Sequence, residues 1–293
     1  MSLPFSLTYY DPPQKLARHV VVLFHFSTDA EITEDAVSGA LPQFNVFPRG
    51  TGEIAFESYT QPVTARAQLT SGMSRSAKFR MKGPWRTIGS TLTPLGWAAL
   101  TGARADEHID RYFPAHELLG AEIDIFAEEL SRRYNAGELD PEEACYAFAD
   151  WISAHLKRVP VTHETLIEKT IAWLGGSLNP DIEELLDSLA YSRRQAERLV
   201  ERYFGFPPAA VARKYRAVRA AAMLSQEKLS AAEEAAIRDA FYDQPHMVKE
   251  IRRYCGYTPK RLGGNGQPIL KTLLQMKNFD RLQEFRALSR SDD

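Results

Sequence analysis

The segment RRQAERLVERYFGFPP, residues 193–208, recurs 51 residues later as QPHMVKEIRRYCGYTP, residues 244–259. The two copies share residue types rather than strict identity. The matched pairs are Arg198 and Lys249, Val200 and Ile251, Arg202 and Arg253, Tyr203 and Tyr254, Gly205 and Gly256, Phe206 and Tyr257, and Pro208 and Pro259. The repeat predicts that one helical unit is used twice.

Each copy is preceded by a residue that favours the start of a helix. Ser192 and Asp243 carry side-chain oxygens that can accept the free backbone N–H groups of a first helical turn. In the second copy, apolar side chains recur at the spacing of one helix face, and the first copy has the same stripe. The apolar positions are Met247, Ile251 and Tyr254, with Leu199 and Tyr203 in the first copy. One face of each helix is therefore expected to meet a core.

The opposite faces of the two helices are polar and mostly basic, as expected for side chains that contact phosphates and base edges. The candidate DNA-binding residues are Arg193, Arg194, Gln195, Glu197, Arg198, Arg202, Gln244, His246, Lys249, Arg252 and Arg253. A recognition helix presents its N-terminal half to the bases. Base contacts are therefore expected from Arg194, Gln195, Glu197 and Arg198 in the first copy, and from Gln244, His246 and Lys249 in the second.

A shorter helix is predicted before each recognition helix, at residues 181–189 and 231–239, with the spacing of a helix-turn-helix unit. Residues 209–224 between the units are rich in Ala and Arg, without Gly or Pro, and predict a connecting helix of roughly 24 Å. This length would place the two recognition helices about 34 Å apart, in successive major grooves of one DNA face.

At this point the sequence resembles the AraC/XylS family of transcriptional regulators. Residues 241–259, FYDQPHMVKEIRRYCGYTP, are similar to the family's signature G-F-x-D-x-S-H-F-x-R-x-F-(basic)-x-x-x-G-x-T-P. The resemblance implies two helix-turn-helix units on a connecting helix, double-stranded DNA as the partner, and control by an N-terminal domain. The family's turn glycines, which permit positive φ, are replaced here by Ala190 and Ala240. Either these turns are built differently, or strain of about 1 kcal/mol makes the domain less stable.

The N-terminal part predicts a β-rich domain, so that the whole chain is of the α+β class. Short apolar segments bounded by Pro and Gly predict strands at residues 20–26, 43–47, 53–56, 67–70, 78–82 and 87–92. Such strands form a sandwich or barrel, and residues 88–102 resemble the end of the cupin-like, effector-type domain of the family. We expect Phe24, Phe26, Phe44 and Phe56 to fill the core rather than line a ligand pocket.

We divide the chain into a β-rich effector-type domain at 1–115, a helical linker at 116–176, a DNA-binding domain at 177–262 and a helical tail at 263–293. The linker predicts helices at 116–134, 141–157 and 163–174, which either pack on the β-domain or pair with a second chain in a homodimer. The boundary is the Gly-Gly-Ser-Leu-Asn-Pro segment 175–180. The tail is expected to dock on either domain.

Composition is that of a soluble globular protein, with 44% hydrophobic and 25% charged residues and a net charge of −2. Residues 181–261 carry +3 and the remainder −5, which suits a reader of DNA sequence better than a nonspecific DNA coat. Only Cys145 and Cys255 are present, so no disulfide framework is implied. The apolar segment 20–26 is too short to cross a bilayer, and a cytoplasmic protein without a membrane partner is expected.

Three functions are weighed. The first is a sequence-specific transcription regulator that binds double-stranded DNA, with a small-molecule effector and RNA polymerase as further partners. The second is an enzyme whose barrel acts on a small molecule or through a metal. It needs a nucleophile with its base or a metal cluster, and His19 and His25 lack a third ligand at suitable spacing. We therefore expect no catalytic residue, metal or cofactor. The third is a DNA-binding protein whose N-terminal domain serves only dimerisation or contact with another protein.

Overall fold

The computed structural model describes residues 5–39, 41–226, 228–262 and 269–270. In the described part of the first 114 residues there are eight strands: β1 (Ser6–Tyr10), β2 (Val20–Thr28), β3 (Ile32–Val37), β4 (Gln43–Ala55), β5 (Thr60–Pro62), β6 (Ala67–Thr70), β7 (Ala77–Leu92) and β8 (Tyr112–Pro114). They form one antiparallel sheet in the order β1-β2-β7-β4-β6-β8, while β3 pairs with β7 and β5 pairs with β4. The predicted β-rich N-terminal domain is confirmed.

Two long strands replace four predicted short ones. β4 joins the predicted segments 43–47 and 53–56, and β7 joins 78–82 and 87–92. The Pro48-Arg49-Gly50 segment does not end the strand, because the ladder to β7 absorbs it through register shifts on both sides of Arg49. Gly50 accommodates the bend with a φ of 95°. In β7, a cis peptide bond joins Gly83 and Pro84. Turn residues therefore bend these strands instead of separating them.

Helices occupy most of the rest of the described chain: α1 (Pro94–Thr101), α2 (His116–Leu119), α3 (Glu122–Asn135), α4 (Pro141–His155), α5 (Val161–Gly176), α6 (Ile182–Ser188), α7 (Arg193–Phe204), α8 (Pro208–Leu224), α9 (Ala231–Ala240), α10 (Gln244–Cys255) and α11 (Pro259–Leu262). The predicted helix 116–134 is in fact two, because Gly120 adopts a φ of 82° and ends α2. The C-terminal region is all-α, as the resemblance implies.

The helices after the sheet divide among three hydrophobic clusters. α3 and α4 pack on the sheet, where the Phe148 ring lies 4.6 Å from that of Phe44. This arrangement is the helical hairpin on the β-domain that the sequence offers as one alternative. α5 instead shares a cluster with α6 and α7, through Ile167 and Leu174. A third cluster joins α8, α9 and α10.

A cavity of about 90 Å³ lies within the sheet domain. Its walls come from β1, β2, β4, β6, β7 and β8, together with Val37 at the end of β3 and Ile269 from the chain beyond α11. Phe44 fills the core as predicted. Phe24 and Phe26 are buried as well, and Phe26 belongs to a core cluster, but both also line this cavity. The predicted tail helix lies outside the described residues, except for 269 and 270.

Candidate nucleic-acid interface

The recognition helices α7 and α10 begin directly after the predicted caps. Asp243 accepts the His246 backbone N–H at 2.7 Å. At the start of α7, the Gln195 side-chain oxygen accepts hydrogen bonds from the Ser192 backbone N–H at 3.2 Å and from its hydroxyl at 2.8 Å. The Gln195 side chain therefore closes the first turn of its own helix, a role that competes with the predicted contact to a base.

The exposed face of α7 contains both paired and unpaired charges. Arg193 lies 2.9 Å from Glu183 and 3.3 Å from Glu197, so these charges neutralise one another. Arg194 and Arg198 are also exposed, but neither forms an ion pair with any described residue. Arg198 forms no ion pair with Glu197 or Glu201 of its own helix, although the i,i+3 spacing to Glu201 would permit one. Arg194 and Arg198 are therefore available to an incoming ligand. Arg202 near the end of α7 is exposed as well, with its guanidinium 5.8 Å from the Tyr203 ring centroid.

The exposed face of α10 carries fewer side chains that can discriminate between bases than the exposed face of α7. Gln244, Lys249 and Arg252 are exposed. His246 is half-buried, with its Nε2 3.4 Å from Glu250 and its ring 6.0 Å from the Phe241 ring. Among the predicted base contacts of this helix, Gln244 and Lys249 are thus the freely placed ones.

The turns before the recognition helices do not use positive φ. Ala240 is the last residue of α9, and Phe241 after it has a φ of −121°. Within the described ranges, Asp110 is the one non-glycine residue with a positive φ. Ala190 and Ala240 are therefore unstrained, and of the two explanations for the missing glycines the different backbone conformation is the right one.

An ion pair that the sequence analysis missed holds α10 against the connecting helix α8. Glu250 is 7% exposed, and its Oε2 accepts a hydrogen bond from Arg216 at 2.8 Å. Arg213 approaches the same carboxylate at 3.5 Å. The available signal was a charged residue beside Ile251 on the apolar side of a helix, where an unpaired carboxylate would be costly.

The sheet domain contacts the C-terminal ends of both recognition helices at equivalent positions of the repeat. The Ala105 N–H donates to the Arg202 carbonyl at 2.8 Å, and the Ser76 N–H donates to the Arg253 carbonyl at 2.9 Å. Helix C-termini leave such carbonyls without partners inside the helix. The Gly39 N–H adds a third bond, to the Tyr254 carbonyl at 3.2 Å.

The glycines that end the two helices permit this docking. Gly205 and Gly256 have φ values of 83° and 80°. A Cβ at Gly205 would collide with the Ile109 side chain, and one at Gly256 would lie 3.0 Å from the Ser76 hydroxyl. The two copies of the repeat thus place a glycine, which has no side chain, at the equivalent position of both contacts. The exposed N-terminal halves of α7 and α10 remain outside them.

Two further groups are buried near the docked surfaces. Lys214 of α8 is 4% exposed, with its Nζ 5.1 Å from the Phe206 ring centroid. Burial lowers the pKa of this lysine to about 7, although the charge of Asp110 acts in the opposite direction. Asp35 accepts the Leu270 N–H at 3.2 Å, and burial raises its pKa. This bond ties the chain beyond α11 to the sheet domain.

The described part of the chain shows neither a candidate metal site nor a membrane-spanning helix. No group of three His, Cys, Asp or Glu residues there could hold a metal ion. His25 instead shares a hydrogen bond with the Tyr134 hydroxyl at 2.7 Å, and burial lowers its pKa to about 4. Among the described helices, none combines the length and apolar character needed to span a membrane.

Comparison with known proteins agrees with this geometry. A helix-turn-helix domain model matches residues 185–263. The transcriptional regulator GbdR from two strains of Pseudomonas aeruginosa is 32% identical over 123 residues, which are 41% of this chain and 33% of the relative. The chain thus matches a third of the length of these curated relatives.

Solved structures of ToxT from Vibrio cholerae are also similar. One has a TM-score of 0.44 at 9% identity, over 88% of this chain and 97% of that one. Another, ToxT with an unsaturated fatty acid bound, has a TM-score of 0.43 at 10% identity, over 88% of this chain and 94% of that one.

Proposed function

We propose that this chain, whose residues 185–263 match a helix-turn-helix domain model, is a transcription regulator that binds a specific double-stranded DNA sequence. The observation that carries the proposal is the pair of recognition helices, α7 and α10, each with exposed basic side chains and both packed on α8. The 17 residues of α8 span roughly 25 Å. Helices held at such a distance can enter successive major grooves.

The charged side chains divide between base contacts and phosphate contacts. Arg194 and Arg198 lie in the first two turns of α7 without ion-pair partners among the described residues, and an arginine can bind guanine through two parallel hydrogen bonds. Arg252 is exposed and lies further along α10 than the base-contact candidates Gln244 and Lys249, so phosphates are its nearer partners. Arg253 donates from its Nε to the Ser74 carbonyl at 3.4 Å, so it must release this bond before it can contact a phosphate. Binding should therefore weaken as the salt concentration rises. The slope of log K against log[salt] should be about −0.9 for each phosphate contacted.

The N-terminal domain is proposed to control this binding. It holds both recognition helices through the Arg202 and Arg253 carbonyls, so a shift in that domain acts on both units. The cavity supplies a place for an effector near the contact with α10, because its wall residue Val37 lies two residues before Gly39, whose N–H donates to the Tyr254 carbonyl. A second copy of this chain and RNA polymerase are further partners that we propose from the resemblance alone.

The experiment is selection of binding sites from a pool of random duplex DNA with the full chain. We expect enrichment of one sequence containing two conserved blocks about one helical turn apart. The Arg194→Ala, Arg198→Ala double variant is the matched control, and it should lose preference in one block only. Recovery of DNA without a shared sequence would contradict the proposal.

A further inference from the structure

The cavity of the sheet domain carries buried polar atoms without partners. Among the described residues, no hydrogen bond reaches Asn45 Oδ1, Trp85 Nε1, Thr87 Oγ1 or the Tyr112 hydroxyl. All four residues line the cavity. Asn45, Thr87 and Tyr112 are each no more than 6% exposed. Buried polar groups are normally hydrogen-bonded, so four such atoms around one space indicate that something polar belongs in it.

The same cavity contains no formal charge among its described wall residues. Apart from Gln43, Thr70 and the four residues with unpartnered atoms, the wall is aliphatic, aromatic or Met. Moving an ion from water into such a space costs several kcal/mol unless an opposite charge accompanies it. A carboxylate, phosphate or ammonium ligand would therefore be rejected on electrostatic grounds.

The four unpartnered atoms also restrict the hydrogen-bonding group. The Trp85 N–H can only donate, whereas Asn45 Oδ1 can only accept. The hydroxyls of Thr87 and Tyr112 can do either. A ligand group that satisfies both kinds of partner must accept and donate at once. A hydroxyl or a primary carboxamide has this property, while a ketone or an ether only accepts.

We propose that this cavity, which the proposed function takes as the place of an effector, binds a small uncharged molecule with an apolar body and one hydroxyl or carboxamide group. The regulatory role of this ligand rests on the proposed function, but its binding to the cavity does not depend on DNA. The volume of about 90 Å³ is several times the ~10–15 Å³ that a single buried water needs. The cavity therefore has room for a small organic molecule, such as one with a short aliphatic chain.

Three probes that differ in the charge of one end group test the proposal: 1-butanol, butyrate and butylammonium. Each is titrated into the full chain without DNA, with ligand-detected NMR and thermal unfolding as readouts. We expect 1-butanol to bind at least ten-fold more tightly than either ion, because only the ions lose their hydration without a counter-charge. Equal or tighter binding of either ion would overturn the assignment. Failure of all three to bind would also overturn it, since the cavity would then hold water only.

Two isosteric variants show whether the alcohol binds at this place. Tyr112→Phe removes the hydroxyl in the cavity wall, whereas Tyr9→Phe removes a buried hydroxyl that also lacks a partner but does not line the cavity. We expect Tyr112→Phe to weaken 1-butanol binding several-fold and Tyr9→Phe to leave it unchanged. Unfolding temperatures of both variants check that each one folds. Equal affinities in the two variants would remove the site from this cavity. A chain that binds the alcohol but selects no DNA sequence would contradict the proposed function alone.

Discussion

At the scale of single residues, neighbouring arginines of α7 differ in what they contact. Arg193 is held by two carboxylates, while Arg194 and Arg198 have no ion-pair partner among the described residues. An arginine already neutralised by Glu183 and Glu197 gives little further free energy to DNA binding. The two unpaired arginines can form new charge-assisted hydrogen bonds without first breaking old ones.

Arg194→Ala and Arg198→Ala should each lower affinity for the selected site by about 1–3 kcal/mol and relax preference at one base pair. The measurement is binding to a panel of single-base variants of that site. Arg193→Ala is the matched control and should leave preference unchanged. A uniform loss across the panel would reduce the tested arginine to a phosphate contact.

A second prediction at the scale of residues concerns Lys214 and the way the free energy of unfolding depends on pH. Its folded pKa of about 7 lies below the usual value near 10.4, so between these values the unfolded chain binds more protons. Stability contributed by this group therefore rises with pH across that window, by up to about 1.4 kcal/mol per pH unit, and falls as pH drops toward 7. Lys214→Met should raise stability at pH 7 and flatten this rise.

Urea unfolding at pH 7 and pH 9 measures the effect as a difference between the variant and the parent chain. Lys249→Met, at an exposed lysine, is the control and should show the same pH dependence as the parent. A Lys214→Met variant less stable than the parent at pH 7 would mean that the buried lysine has a compensating partner.

At the scale of elements, the recognition helices are fixed at both ends by different means. Their N-termini follow the sequence-predicted caps, whereas their C-termini are held by backbone groups of the sheet domain. Caps could be predicted because Ser and Asp act within one turn of their own position. The contact from Ser76 to the Arg253 carbonyl joins residues far apart in the chain, and no local pattern carries it. The glycine at the end of each copy predicted where the helix ends but not what would contact that end.

Glu250→Gln should destabilise the chain by about 3 kcal/mol, because Arg216 would keep a buried charge without its partner. Chemical unfolding provides the measurement. The double variant Glu250→Met, Arg216→Met should recover part of the loss, as both charges are then gone. Glu197→Gln, in an exposed pair with Arg193, is the control and should change stability by less than about 1 kcal/mol. An equal effect of the two Gln variants would show that burial of Glu250 is unimportant.

Ala240→Gly should also destabilise the chain, by about 1 kcal/mol, because Ala240 is helical and glycine gains freedom in the unfolded state. Thermal unfolding gives the sign directly. Gly137 provides the control for a position that does use positive φ, since its φ is 72° and its Cβ position is open. There the reverse substitution, Gly137→Ala, should lower stability through backbone strain. A stabilising Ala240→Gly would require positive φ at this turn.

At the scale of the whole molecule, sequence periodicity predicted the two-part architecture but not how its parts meet. The helical repeat, the connecting helix and the β-rich N-terminal region follow from local patterns. The predicted boundary begins at Gly175 and Gly176, which are the last two residues of α5. Ile167 and Leu174 of the same helix pack in one cluster with α6 and α7. A fragment that starts at Ser177 would leave this apolar surface uncovered, so a DNA-binding fragment should begin before Val161. The boundary itself stays a prediction.

The rest of the candidate site depended on distant contacts. Eleven DNA-binding candidates followed from the polar faces of two helices, and most are exposed. Gln195 and His246 are the exceptions in role, because one closes a capping interaction and the other lies against Glu250. Both use partners within four residues, so a stricter examination of capping and i,i+4 spacing would have found them. The cavity, whose wall residues come from seven strands and from Ile269, could not be found in this way.

The central claim is that two recognition helices, held at a fixed distance by α8, read successive major grooves of one DNA face. The most direct measurement inserts base pairs between the two conserved blocks of the selected site and compares affinities. An insertion of about five base pairs, half a helical turn, rotates one block to the opposite face. We predict that this insertion lowers affinity at least ten-fold, to that of a single block, and that an insertion of a full turn also fails to restore it because α8 does not lengthen. Undiminished binding to the half-turn insertion would contradict the account.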